Sequence, residues 1–140
     1  MSIFIKLYEN KIYFRNIKTN KEYTITPIKP FSMDGLLIAN IDEAIINIKN
    51  GINQVCSNLN KYIVKPKIYL QPMKNTNEIS QTEINGIEET FYQSGTSELI
   101  IIKDENEIGI KIKYNNVSKI RYVKRKKYNI FDFLKEILYH

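Results

Sequence analysis

Three observations predict an α/β protein in which helices pack on a mixed sheet. The first 26 residues alternate short β-rich runs with polar turns. Apolar spacing then switches to threes and fours, the helical period, in two separate stretches. Each of those stretches is followed by a short apolar run of strand length. The predicted order is βββ-α-β-α-β, then two further strands and a terminal helix. Strands linked by a helix pair in parallel through a βαβ crossover, whereas strands joined by tight turns form an antiparallel meander.

The opening meander comes from Ile3-Phe4-Ile5-Lys6-Leu7, Lys11-Ile12-Tyr13-Phe14-Arg15 and Glu22-Tyr23-Thr24-Ile25-Thr26, with turns at Glu9-Asn10 and Thr19-Asn20. Pro27 and Pro30 then interrupt the ladder. The chain crosses a loop with Asp34-Gly35 turn chemistry into the apolar residues Leu36, Leu37, Ile38 and Ala39. Ile41, Ala44, Ile45, Ile48, Ile52, Val55, Leu59 and Ile63 form a helical stripe that predicts a helix over 42–62. Its N-terminus carries Asp42 and Glu43, where the helix dipole favours acids. Gly51 is its weak point, by up to ~1 kcal/mol relative to Ala. Pro66 ends that segment, and a strand over 67–70 is closed by Pro72 and the polar loop 74–77.

A second helix is predicted over 80–93. Ser80 and Glu83 stand as a capping box, Ile84, Ile87, Phe91 and Tyr92 as its apolar stripe, and Gly95 as its C-terminal stop. Residues 98–103 hold a continuous apolar run, Leu99 to Ile102, rich in β-branched isoleucine, as expected of a buried strand. After the polar break 104–107, residues 108–114 and 117–123 both alternate and are placed to pair as a hairpin around Asn115-Asn116. A final helix over 129–139 puts Ile130, Phe133, Leu134, Ile137 and Leu138 on one face.

Composition bounds the function. A chain of 140 residues suits a single domain, and one large enough to bury a core without disulfides or a structural metal. The balance of 21 Lys+Arg against 15 Asp+Glu gives +6, which points to an anionic partner. Yet Ile, Asn, Lys and Tyr, all with AT-rich codons, make up about half the chain, so much of the lysine reflects base composition. No apolar run is long enough to span a bilayer, and the start of the chain lacks a secretory pattern. Cys56 is the only cysteine and suits a reducing compartment, so a cytoplasmic location is expected.

Catalytic chemistry finds few residues. His140 is the only histidine, so no His/Cys cluster holds zinc and no Cys–His or Ser–His pair activates a nucleophile. Asp104, Glu105 and Glu107 read as a solvated turn rather than a magnesium site. The five glycines form neither a Gly-x-Gly-x-x-Gly nor a Walker loop. No catalytic, cofactor-binding or metal-binding residue is assigned, and no cofactor is expected. One feature rises above background: Lys119, Arg121, Lys124, Arg125, Lys126 and Lys127, interleaved with Tyr122 and Tyr128, place six of the 21 cations within nine positions. Such a run can track phosphates while its rings stack on bases. Equally, it can be a solvated strand edge whose lysines discourage aggregation.

Two segments resemble a known family. Residues 30–40, Pro-Phe-Ser-Met-Asp-Gly-Leu-Leu-Ile-Ala-Asn, resemble the proline, Asp-Gly and apolar-strand stretch that precedes a helix in the MreB rod-shape-determining proteins, the bacterial actin homologues. Residues 65–72, Lys-Pro-Lys-Ile-Tyr-Leu-Gln-Pro, resemble that family's basic strand ending in proline; Thr82-Glu83, Gly95 and the apolar run 99–102 then follow in the family's order. The resemblance covers residues 1–110 and implies a ribonuclease-H-like, actin-like fold for that core, with 111–140 adding a basic strand, loop and C-terminal helix. The family's first phosphate loop, Asp-x-Gly-Thr, falls at Lys6-Leu7-Tyr8-Glu9, and its Glu-Glu-Pro falls near Lys103-Asp104-Glu105. The segments that supply the other phosphate loop and the adenine site have no counterpart here. A cation in place of a metal-liganding Asp reverses the electrostatics of a phosphate site. Lys6 likewise removes the strand-one carboxylate of a ribonuclease-H-type nuclease.

The expected function is therefore that of a non-catalytic, pseudo-ATPase MreB-like module acting through protein contacts, with a partner in the cytoskeleton or in bacterial cell shape. The alternative is a small basic nucleic-acid-binding domain using residues 119–128.

Overall fold

A computed structural model of the chain describes residues 1–56, 65–74, 79–104, 107–114 and 119–127, with backbone alone from residue 103 onward. The expected helix tail 57–62, the stripe residues Leu59 and Ile63, the turn at 115–116, Tyr128 and the terminal helix 129–139 lie outside the described residues. The elements are β1 (Ser2–Tyr8), β2 (Lys11–Asn16), β3 (Glu22–Ile25), α1 (Ile41–Val55), β4 (Lys67–Pro72), α2 (Gln81–Gln93), β5 (Glu98–Asp104), β6 (Glu107–Tyr114) and β7 (Lys119–Lys127). The seven strands form one mixed sheet in the order β3-β2-β1-β4-β5-β6-β7.

Short turns and helical crossovers set the strand directions as the sequence predicts. β1, β2 and β3 are antiparallel, while β1 with β4 and β4 with β5, each reached through a helix, are parallel. β5, β6 and β7 continue antiparallel, with bulges at Ile101–Asp104 and at Ile108–Ile110. No helix of the described residues is long and apolar enough to cross a membrane.

Both helices pack on one face of the sheet. Ile3, Ile5 and Leu7 of β1, Ile12 and Phe14 of β2, Ile68 and Leu70 of β4 and Leu99 and Ile101 of β5 meet Ala44, Ile48, Ile52 and Val55 of α1 and Ile84, Ile87 and Phe91 of α2. The alternate residues point to the opposite face, where Phe4, Tyr69, Ile100, Ile102 and Ile17 form a second buried cluster with Tyr13 against it. Gly51 lets α1 lie close to β2: a Cβ there would overlap the Phe14 ring. The residue that weakens the helix is thus the one that allows it to dock.

Helix ends are satisfied locally, and several details depart from the sequence reading. Asn40 caps α1, its side chain accepting from the Glu43 amide at 3.2 Å. α1 ends at Val55, where Cys56 is extended and the Asn16 side chain donates to the Val55 carbonyl at 3.0 Å. Ser80 accepts from the Glu83 amide at 3.1 Å, but the reciprocal half of the capping box is missing because the Glu83 carboxylate points elsewhere. At the far end of α2, Gly95 has φ +88°; its amide bonds the Tyr92 carbonyl and the Thr96 amide the Phe91 carbonyl, a Schellman motif. Tyr92 is exposed rather than part of the buried stripe. Residues 36–39 form no strand: Leu36 makes an isolated bridge to Met33, and Leu37 and Ile38 drop into the core.

Candidate protein-contact site at the strand ends

The parallel strands β1 and β4 end side by side, and open α/β sheets take ligands outside such carboxyl ends. In this chain the segments that follow those strands are tied together by side-chain hydrogen bonds. The two-residue turn from β1 to β2 puts Asn10 at φ +48°, a left-handed conformation that asparagine tolerates. The Asn10 side chain accepts from the amides of Phe31 (2.9 Å) and Ser32 (2.8 Å), and the Asn10 backbone amide donates to the Ser32 hydroxyl (2.9 Å). Ser32 in turn donates to the Leu37 carbonyl at 2.6 Å. Residues 31–37 are therefore pinned to the first hairpin.

The pinned segment is a miniature hairpin. Met33 and Leu36 exchange backbone hydrogen bonds of 3.3 and 2.9 Å across Asp34 (φ +52°) and Gly35 (φ +79°). Two positive φ values in succession make a type I′ turn, for which Asp-Gly is a preferred pair. Lys74, just beyond β4, donates to the Gly35 carbonyl (2.6 Å) and to Glu83 of α2 (3.0 Å). The other Glu83 oxygen accepts from the Leu37 amide at 2.8 Å. The Glu83 side chain is 1% exposed and that of Lys74 18%. Each charge is stable there only because the other, with backbone partners, replaces lost water.

This bracing holds apolar groups in solvent. Met33 is 62% exposed and Leu36 39%, and Ile28 on the approach to the loop is fully exposed. Beside the hairpin, a cleft of about 420 Å³ is lined by Pro30, Phe31, Ser32, Met33 and residues 39–42 at the start of α1. A rigid turn that presents methionine and leucine outward suits contact with an apolar partner surface, because little entropy remains to be lost on docking.

The residues singled out in the sequence are dispersed. Lys6, Leu7 and Tyr8 lie in β1 and Glu9 in the turn; the Lys6 ammonium sits 5.9 Å from the Tyr13 ring centre, on the sheet face away from the helices. Lys103 and Asp104 belong to β5, Asp104 pairing with Glu107 of β6, and Glu105 lies outside the described residues. Lys119, Arg121, Lys124, Arg125, Lys126 and Lys127 fall on one strand, β7, at the sheet's edge. Among the described residues no three of His, Cys, Asp and Glu come together to hold a metal ion. Cys56 is buried at the end of α1, and burial pushes its thiol above the ordinary range.

Sequence reasoning placed Lys74 in a polar loop and Glu83 in a capping box and did not join them. The available signal was an acid on the apolar side of the second helix, one position before Ile84. No protein-family model matches the chain, and no characterised protein is significantly similar to it in sequence.

Proposed function

We propose that the chain is a non-catalytic, MreB-like module of ribonuclease-H-like fold, working in the cytoplasm by docking onto an actin-like cytoskeletal protein. The observation that carries this reading is the braced hairpin: Asn10, Ser32, Lys74 and Glu83 tie together the segments that follow β1 and β4, and the hairpin's outer surface offers Met33 and Leu36. An antiparallel meander followed by helix-linked parallel strands, in the collinear order of the resemblance, supports the fold. Lys6 on β1, with Gln71 of β4 as its register partner, leaves that strand pair without a carboxylate for metal-assisted phosphate chemistry.

Co-sedimentation with polymerised MreB filaments tests the docking. Wild-type protein should pellet with filaments, and Met33→Asp with Leu36→Asp should abolish pelleting, whereas Ile46→Asp on the exposed side of α1 should not. Failure of the wild type to pellet overturns the reading. Titration calorimetry with magnesium ATP should show no heat of binding; micromolar affinity would refute the pseudo-ATPase assignment.

A further inference from the structure

The sheet face turned away from α1 and α2 carries a pattern that appears only when β1 and β2 are laid in register. Three successive cross-strand pairs on that face each join one cation to one aromatic ring: Phe4 with Arg15, Lys6 with Tyr13, and Tyr8 with Lys11. The cation alternates from strand to strand, so Arg15, Lys6 and Lys11 run as a zigzag of diagonal neighbours, spaced about 7–8 Å apart. The Lys11 ammonium lies 4.2 Å from the Tyr8 ring centre and that of Lys6 5.9 Å from the Tyr13 ring. Phe4 is buried beneath, but Lys6, Tyr8, Tyr13 and Arg15 are half-buried and Lys11 exposed, so this end of the face is open to solvent. Glu22 of β3 is the acid beside it, accepting from the Tyr13 hydroxyl at 2.6 Å. Arg15 donates from Nε and Nη2 to Asn20 and also acts on the Tyr13 phenol beside it.

We infer that this cation–aromatic ribbon, Lys6, Tyr8, Lys11, Tyr13 and Arg15, binds single-stranded nucleic acid, its cations on phosphates and its tyrosines under bases. Rings and cations alternating on a flat ribbon fit a ligand that alternates charge and π-face along its length. A duplex keeps its base faces stacked inside and cannot use the rings. Stacking a base on Tyr8 displaces an ammonium from the ring, a favourable exchange because base–ring stacking outweighs an exposed cation–π contact and the freed ammonium meets a phosphate. The site is separate from the basic strand β7 and from the Met33–Leu36 hairpin.

Fluorescence anisotropy with a labelled oligothymidylate of about 16 nucleotides tests it. Three phosphate contacts should give a slope of about −2 in log affinity against log salt, shrinking by about 0.7 for each of Lys6→Gln, Lys11→Gln and Arg15→Gln. Tyr8→Leu, at a half-buried position where apolar bulk is kept, should weaken binding about tenfold. As the chain has no tryptophan, quenching of its tyrosine fluorescence by the oligonucleotide reads stacking without any substitution. Absence of binding overturns the proposal. Binding that survives Tyr8→Leu without quenching, or that polyglutamate matches, overturns it in favour of an acidic protein partner. Binding lost only with glutamine at Lys124, Arg125, Lys126 and Lys127 moves it to β7.

Discussion

Gly51 of α1 lies directly against the ring of Phe14 on β2, in the space a Cβ would need. Helix propensity alone makes Gly51→Ala stabilising by up to ~1 kcal/mol. The contact reverses the sign, because Phe14 is fully buried in the core cluster and its ring must shift among packed neighbours to make space. Overpacking of this kind costs about 1–3 kcal/mol. Urea unfolding should therefore show Gly51→Ala less stable than wild type, and Phe14→Leu should cost less in the alanine background than alone. A more stable alanine variant would refute the account.

The Lys74–Glu83 pair should be strongly asymmetric to mutation. Lys74→Met strands a buried carboxylate and should cost about 3 kcal/mol, the low end for such pairs because Lys74 is partly exposed. Glu83→Gln keeps an oxygen for the Leu37 amide and should cost only about 1 kcal/mol. Urea midpoints measure both. Hydrogen exchange at the Leu37 amide should quicken in Lys74→Met well beyond the change at Ile48 in α1, as the hairpin loosens before the core.

Alkaline pH should destabilise the fold through Tyr13. Its phenol is pushed up to about 12, first by burial and then by the hydrogen bond and charge of Glu22, with Arg15 opposing. The unfolded phenol titrates near pH 10. Between these values the folded state holds the proton that the unfolded state has lost. This contribution is thus whole below pH 10 and disappears as pH rises through about 12. Urea midpoints of wild type should fall more steeply over that interval than those of Tyr13→Phe. Parallel curves would show that Tyr13 is not responsible.

Cys56 should be inert in the folded protein. Its thiol is buried and its ionisation is pushed up by lost solvation, so little thiolate forms near neutrality. Ellman's reagent should react slowly in buffer and at once in denaturing urea. Equal rates would contradict the burial.

The elements that periodicity located are those whose stability is local or comes from one apolar face. The meander, both helices, the C-terminal stop at Gly95 and the helix-linked parallel strands were all legible because spacing, turn residues and caps act over a few positions. The end of α1 was not, since the Asn16 side chain that receives it arrives from 39 residues away. Nor was the strand-end site. Asn10 and Ser32 are 22 residues apart, and Leu37 and Glu83 46 apart. An asparagine in a turn and a glutamate in a helix carry no local mark of such partners.

The sequence by itself determined that this is a mixed α/β protein, basic in composition, with helices crossing between strands. It also showed that neither β1 nor β4 carries a carboxylate. Tertiary structure alone decided that Asn10, Ser32, Lys74 and Glu83 tie together the segments that follow β1 and β4. It also decided that Gly51 is a docking surface rather than a flaw, and that Lys6, Tyr8, Lys11, Tyr13 and Arg15 share one face. The physical reason is the same in each case. Periodicity records which side of an element is apolar, but which side chains meet depends on register and close approach between distant segments, and those are settled only when the core packs.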